Sequence, residues 1–224
     1  MGKLHDLHDV GQSVWLDFIR RDILENGELA SMVDDGIRGL TSNPAIFKNA
    51  IAGSADYDGA IAAAADDASA VAVFESLAVA DIQEAADLLR GVYDSSGGDD
   101  GYVSLEVSPH LAYDTEGTIA DAHRLWNLVD RPNLMIKVPA TDEGVPAIED
   151  LIAAGVNVNS TLMFSLGDYE AVAQAYVRGL RRAQQPEKIA SVASFFVSRV
   201  DTSTDSALEK NGSDAAMAQR GKAA

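Results

Sequence analysis

Cysteine is absent from all 224 residues of this sequence, and basic residues are scarce. Without cysteine, the chain has no disulfide framework, no thiolate nucleophile and no thiolate metal site. Its 17 Lys and Arg residues face 35 Asp and Glu residues, which gives a formal charge of −18 at pH 7. A field of this sign repels nucleic acid and anionic membranes, so neither is an expected partner. It also repels phosphorylated metabolites, and any phosphate site must be built locally from an arginine or from helix N-terminal amides.

Long hydrophobic runs are also absent. No stretch approaches the ~18 apolar residues of a membrane span, and the N-terminus has no apolar signal-peptide core. Mean hydropathy is −0.03 and 47% of residues are hydrophobic, as in a globular protein. No linker divides the sequence, so residues 1–224 are predicted to form a single domain of a cytoplasmic protein.

Six short apolar segments alternate with amphipathic stretches along the chain. The segments are VWLDFI, GIRGLTSNP, YVSLEVSP, LMIKVPAT, GVNVNSTLMFS and SVASFFVSRV. Helical patterns cover residues 81–92, 118–128, 144–154 and 167–183, and the longer interval 43–101 has room for two or more helices. Alternating strand and helix signals predict a parallel sheet with helical crossovers.

Polar side chains fall on a single face of the predicted strands. Successive residues of a strand point to opposite faces, so residues two apart share a face. The apolar faces are Val14, Leu16 and Phe18; Val103, Leu105 and Val107; Leu134, Ile136 and Val138; Val156, Val158 and Leu162; and Ala193, Phe195 and Val197. Opposite them stand Asp17; Ser104, Glu106 and Ser108; Lys137; Asn157, Asn159 and Thr161; and Ser194. Polar groups that converge at the C-terminal ends of strands are typical of a β/α barrel active site.

Lys137 lies in the apolar stretch NLMIKVPAT, residues 133–141. Burying an ammonium group without a partner is costly, and a buried lysine that loses its proton is a nucleophile toward carbonyls. The alternative is a lysine whose stem packs while its head reaches water. The matched polar face favours a site, and lysine with carboxylates at one mouth indicates Schiff-base chemistry. No nucleotide-binding, zinc-protease or serine-hydrolase motif is present, so we expect no metal and no cofactor.

The segments together resemble the transaldolase family, particularly its bacterial branch with longer chains. The matching stretches are GQSVWLDFI, GLTSNPAIF, YVSLEVSP, LMIKVPAT, VNVNSTLMFS and SVASFFVSRVD, in family order from Gly11 to Asp201. The resemblance implies a TIM-type (β/α)8 barrel and the transfer of dihydroxyacetone from sedoheptulose 7-phosphate or fructose 6-phosphate to an aldose phosphate. It places the chain in the non-oxidative pentose phosphate pathway, with sugar phosphates as its partners.

The resemblance also implies a role for each position of the site. Lys137 would form the Schiff base, Asp17 would take the proton of the C4 hydroxyl, and Glu106 with Thr161 would position a proton-relaying water. The predicted substrate-binding residues are Asn43, Asn159 and Ser194 for the hydroxyls, Phe196 for the pocket wall and Arg199 for the phosphate, with Thr41 in support.

The sequence departs from the family in its strand count. A (β/α)8 barrel has eight strands and typically ~250 residues or more, whereas about six strand segments occur here. We therefore expect a C-terminally truncated chain whose first and sixth strands are edges. Two alternatives stay open: a Schiff-base aldolase that releases free dihydroxyacetone, and an inactive fragment that binds sugar phosphates.

Overall fold

The computed structural model describes residues 2–64 and 67–224 and contains one parallel sheet. Its six strands follow one another in sequence order, and they curl into an open half-barrel with helices on its outside. The strands are β1 (Trp15–Leu16), β2 (Gly39–Thr41), β3 (Val103–Glu106), β4 (Leu134–Pro139), β5 (Val158–Met163) and β6 (Ser191–Phe195). The predicted six-stranded fold of TIM-barrel type is confirmed, and β1 and β6 form the two edges of the sheet in the described residues.

Helices fill the connections between the strands. Their bounds are α1 (Lys3–Asp9), α2 (Arg21–Glu25), α3 (Glu28–Asp34), α4 (Pro44–Gly53), α5 (Asp58–Ala62), α6 (Ala70–Ser96), α7 (Thr115–Val129), α8 (Gly144–Ala153), α9 (Leu166–Arg182), α10 (Ser198–Asn211) and α11 (Asp214–Met217). The four helical patterns of the sequence fall on α6, α7, α8 and α9. No helix in the described part of the chain is long and apolar enough to cross a membrane.

Local capping explains where several helices begin and end. Asn43 caps α4 by accepting from the Ile46 amide, and a proline occupies the next position, where its missing N–H costs nothing. Ser69 caps α6, and Gly97 ends that helix with a φ of 70°, a conformation that suits glycine. Ser165 and Asp168 form a reciprocal capping box at the start of α9.

The main hydrophobic core lies between the outer face of the sheet and the helices. Leu40, Val103, Leu134, Ile136 and Val158 supply its sheet side, and all five are fully buried. These strand residues alternate with the polar residues of the inner face, so a single period-2 pattern separates the core from the site.

Five residues predicted on the apolar face do not join the core, and one of them, Val14, is half-buried just before β1. Phe18 is 38% exposed because β1 ends at Leu16, and the fully buried Ile19 fills the core instead. Leu162 is 39% exposed because the register of β5 shifts between Ser160 and Met163. Leu162 has a φ of 61°, and the bulge turns the fully buried Met163 into the core.

The other two misplaced residues, Ala193 and Val197, belong to the β6 edge and its exit. Ala193 is exposed and Val197 is 51% exposed. The following helix α10 has no buried residue and therefore does not cover them as a core helix would. The apolar alternation of this segment predicted a strand correctly but overestimated its burial.

Candidate active site

Glu106, Lys137 and Asn159 form one row, which we call the central row, across the adjacent strands β3, β4 and β5. Glu106 pairs in register with Lys137, and Lys137 pairs in register with Asn159. Register partners on neighbouring parallel strands point to the same face, which here is the inner face opposite the core. The row lies in the C-terminal half of β3 and β4, near the edge where barrel enzymes place their reacting groups.

Lys137 is held by protein oxygens on both sides. Its residue exposure is 6%, and Nζ donates a hydrogen bond of 3.2 Å to the carbonyl oxygen of Ser42. The same Nζ lies 3.7 Å from Glu106 Oε2. The ammonium or amine group therefore sits inside the sheet's inner face with one carboxylate and one carbonyl beside it.

Glu106 is the carboxylate of the central row, and its surroundings change its pKa. Burial raises its pKa, and the neighbouring Lys137 opposes that shift by favouring the charged form. A carboxyl group whose pKa is raised holds a proton more readily than an ordinary glutamate, which suits it to proton exchange with a neighbouring amine. The pair is chemically suited to moving protons to and from groups attached to Lys137.

Asn159 is fixed by hydrogen bonds from two different strands. Its Nδ2 donates to Ser104 Oγ at 3.0 Å, and its Oδ1 accepts from Ser194 Oγ at 2.8 Å. Asn159 is 1% exposed, so these partners determine which end of the amide faces which strand. The structure therefore brings Ser194, a predicted substrate-binding residue, into direct contact with the central row.

Three buried hydroxyl groups have no hydrogen-bond partner among the described residues. They are Ser160 Oγ and, at two of the predicted site residues, Thr41 Oγ1 and Thr161 Oγ1. Thr161 is 1% exposed and pairs in register with Pro139, two residues beyond Lys137 on β4. Buried hydroxyls normally pair with protein or with ordered water, so these groups are suited to binding a water or a substrate oxygen.

Asp17 and Asn43 lie in the connections that leave β1 and β2. Asp17 directly follows β1 and is exposed. Asn43 is half-buried, and its Oδ1 accepts from the Ile46 amide at 2.9 Å. The capping bond uses the side-chain oxygen of Asn43, and its amide NH2 group can donate to a different partner.

Phe196 and Arg199 contact each other beyond the end of β6. The Arg199 guanidinium lies 4.5 Å from the centroid of the Phe196 ring, and that ring stacks on Phe164 at 5.2 Å. Arg199 is exposed in the first turn of α10. Within residues 2–64 and 67–224, Arg199 forms no salt bridge with a carboxylate.

Two residues of this arrangement were missed as site residues by the sequence. Ser42 contributes a backbone carbonyl to Lys137, and its hydroxyl donates to the Ser104 carbonyl at 2.8 Å. Ser104 lay on the predicted polar face but received no role. A backbone carbonyl is the same for every residue type, so the role of Ser42 could not be predicted from the sequence. Ser104 could have been predicted, because it lies two residues from Glu106 and therefore on the same face of β3.

Metal coordination has no candidate cluster in the described ranges. Within them, no group of three or more His, Asp or Glu side chains is arranged to hold an ion.

Comparison with known proteins identifies relatives over nearly the whole chain. The family model described as "Transaldolase/Fructose-6-phosphate aldolase" matches residues 14–224. A "Transaldolase" of Thiobacillus denitrificans is 50% identical over 225 residues, covering 98% of this chain and 63% of the relative. A "Transaldolase" of Thermobifida fusca is 51% identical over 227 residues, covering 99% and 62%. "Transaldolase 2" of Nostoc punctiforme is 50% identical over 205 residues, covering 89% and 54%. The chain thus spans little more than half to three fifths of these relatives' lengths.

Proposed function

This chain belongs to the transaldolase/fructose-6-phosphate aldolase family, and on that premise we propose that it transfers a dihydroxyacetone unit between sugar phosphates. The donor is sedoheptulose 7-phosphate or fructose 6-phosphate, and the acceptor is glyceraldehyde 3-phosphate or erythrose 4-phosphate. The observation that carries the proposal is the buried row of Glu106, Lys137 and Asn159 on the inner face.

Lys137 is the nucleophile in this proposal. Its amine attacks the C2 carbonyl of the ketose phosphate, and loss of water leaves an imine. In the protonated imine, the electron pair of the C3–C4 bond then forms a C2=C3 double bond while the C=N pair moves to nitrogen, so cleavage gives an enamine on Lys137 rather than a free carbanion. Burial of Nζ supports this role because a dry environment protects the enamine until an aldehyde acceptor arrives.

Asp17, Glu106 and Thr161 move the protons. Asp17 accepts the proton of the C4 hydroxyl as the C3–C4 bond breaks. Glu106, with its pKa raised by burial, exchanges protons through a water held by Thr161 while the imine forms and hydrolyses. Thr161 Oγ1, which has no hydrogen-bond partner in the part of the chain that the structure describes, supports such a water.

The remaining residues hold the substrate. Asn43, Asn159 and Ser194 bind the hydroxyls of the dihydroxyacetone unit, and Phe196 forms the wall beside it. Arg199 binds the phosphate as a local cation in a chain of net charge −18. Its stacking on Phe196 supports this role, since the guanidinium is oriented without losing its hydrogen-bonding edge.

The setting that we propose is a cytoplasmic enzyme of sugar phosphate metabolism. The chemistry requires no metal and no cofactor, and the acidic surface disfavours nucleic acid and membrane partners. We further propose that residues 1–224 belong to a single β/α barrel domain, because one sheet and one main core contain all six strands.

The test is to trap the intermediate on this chain. The chain is incubated with fructose 6-phosphate, reduced with borohydride and digested, and the adduct is located by peptide mass spectrometry. We expect a dihydroxyacetone-derived adduct on Lys137 and none in Lys137→Met. Adding erythrose 4-phosphate before reduction should remove the adduct and yield sedoheptulose 7-phosphate.

The outcomes separate the possible activities. Free dihydroxyacetone that accumulates equally with and without acceptor would identify an aldolase rather than a transferase. A folded chain that forms no adduct on Lys137, while the Thermobifida fusca relative forms one under the same conditions, would refute the proposed activity for this chain.

A further inference from the structure

A buried carboxylate lies outside the proposed catalytic row, on helix α6. Asp81 is 1% exposed, and both of its oxygens have partners. Tyr57 donates its hydroxyl to Oδ2 at 2.7 Å, and Arg21 donates from Nε and Nη2 to Oδ1 at 3.0 and 2.7 Å. We refer to Arg21, Tyr57 and Asp81 as the α6 clamp.

The three side chains also contact each other directly. The Arg21 guanidinium lies 4.5 Å from the Tyr57 ring centroid, and the Arg21 backbone amide donates to Tyr57 Oη at 3.0 Å. Burial raises the pKa of Asp81, while Tyr57 and Arg21 hold it down. Both oxygens of Asp81, the hydroxyl of Tyr57 and two guanidinium nitrogens of Arg21 therefore have partners within the α6 clamp.

Stability alone is a weak explanation for such a group. Buried ion pairs often contribute little net stability, because the cost of desolvation offsets their attraction. This pair also restricts geometry, since two guanidinium N–H groups donate to one carboxylate oxygen while a hydroxyl donates to the other. The α6 clamp should therefore fix the relative position of the elements that carry it.

Those elements include the segment that carries Asp17. Arg21 is the first residue of α2 and lies four residues after Asp17, with the fully buried Ile19 between them. On the other side, Leu16 is paired in the sheet with Leu40. The exposed Asp17 has no side-chain hydrogen bond in the described part of the chain, so its position depends on these two anchors.

We propose that Arg21, Tyr57 and Asp81 are positioning residues that hold Asp17 where it can take the proton from the C4 hydroxyl of the substrate. This inference rests on the proposed transaldolase activity. The step concerned is the cleavage of the C3–C4 bond in the Lys137 imine. The proton of the C4 hydroxyl goes to Asp17. The electron pair of the C3–C4 bond converts the imine into an enamine, and the aldose phosphate leaves.

The experiment measures how far the trapped intermediate has reacted. Fructose 6-phosphate is added to the full chain, and borohydride is added after a series of short intervals. Uncleaved imine gives a hexose phosphate adduct on Lys137, and cleaved imine, after protonation of the enamine, gives a three-carbon adduct. The ratio of the two adducts is counted per trapped Lys137, so it does not depend on the fraction of folded protein.

The variants are Asp81→Asn, which removes the charge, and Tyr57→Phe, which removes the hydroxyl but keeps the Arg21–Asp81 pair. A misplaced catalytic group can slow a reaction by about 10- to 100-fold, so we expect cleavage to slow by at least ~10-fold in Asp81→Asn and less in Tyr57→Phe. The matched control is Asp87→Asn on the same helix. Asp87 binds Arg131 at 2.6 and 2.9 Å, but its side chain is 57% exposed, and its loss should leave the ratio unchanged.

A double-mutant comparison shows whether the α6 clamp acts through Asp17. In an Asp17→Asn background, adding Asp81→Asn should slow cleavage no further. A further tenfold loss in that background would overturn the proposal, as would an unchanged adduct ratio in Asp81→Asn and Tyr57→Phe. Absence of any Lys137 adduct in the unmutated chain would instead refute the proposed function.

Discussion

Removing the lysine should reveal how strongly it compensates the buried carboxylate of Glu106. The substitution is Lys137→Met, which keeps the length of the side chain and removes its charge. With Nζ and Oε2 3.7 Å apart, Coulomb's law at an effective dielectric constant of about 20 gives an attraction of about 4 kcal/mol. The Glu106 side chain is 14% exposed, so solvent screens little of it.

The stability lost in Lys137→Met should depend on pH in a defined direction. The pKa of Glu106 is already raised by burial, and Lys137 opposes the shift, so the pKa should rise further without the lysine. A folded-state pKa above the unfolded value means that the folded chain keeps a proton that the unfolded chain has released. Stability then falls as the pH rises from the ordinary range of glutamate through the raised pKa.

Urea unfolding at about pH 5 and about pH 8 measures this effect. At the lower pH, Lys137→Met should lose less stability, because its Glu106 carboxyl is protonated to a greater extent and methionine packs well. At the higher pH it should be less stable by up to about 4 kcal/mol. The double variant Lys137→Met/Glu106→Gln should lose the extra pH dependence. Equal pH dependence in the unmutated chain and Lys137→Met would refute the pairing of these two residues.

Three further predictions concern packing, backbone strain and substrate binding. Gly179→Ala should destabilise the chain by about 1–3 kcal/mol, because its Cβ would lie 2.6 Å from the Glu149 carbonyl oxygen; the control Gly167→Ala in the same helix, whose Cβ would make only an ordinary contact of 3.6 Å with Ser165 Oγ, should be neutral or slightly stabilising in the same denaturant titration. Leu162→Gly should be more stable than Leu162→Ala by about 1 kcal/mol, since glycine alone adopts a φ of 61° without strain, and the reverse order would contradict the bulge. Arg199→Ala should weaken fructose 6-phosphate binding at least ~10-fold with little effect on unphosphorylated fructose, measured by trapping at varied concentration; equal losses for both sugars would exclude a phosphate contact.

Much of the architecture was predictable because one periodicity defines both the core and the site. Leu134, Ile136 and Val138 face the helices, and this placement turns Lys137 to the opposite face. The same alternation on β3 and β5 places Glu106 and Asn159 on that face beside it. Residue type at alternate positions was sufficient because neighbouring parallel strands share their register.

Other features depend on information that alternation does not carry. A two-residue β1 and a bulge in β5 each break the pattern for one or two residues, so Phe18 and Leu162 were placed in the core incorrectly. Asp81 stands in an amphipathic helix, where a carboxylate normally faces water. Its burial depends on Tyr57 and Arg21, which lie 24 and 60 residues away along the chain.

The orientation of the central row depends on contacts between different strands rather than on any single strand. The carbonyl of Ser42, just after β2, holds Lys137 on β4, while Ser104 on β3 and Ser194 on β6 hold the two ends of Asn159 on β5. Because each contact crosses from one strand to another, the curvature of the sheet and the geometry of the row depend on each other. A substitution that flattens the sheet would therefore misorient the amide of Asn159 and the amine of Lys137 together, even if no residue of the row were changed. The proposed role of the α6 clamp follows from the same coupling: Asp17 lies outside these cross-strand contacts and needs a separate means of alignment.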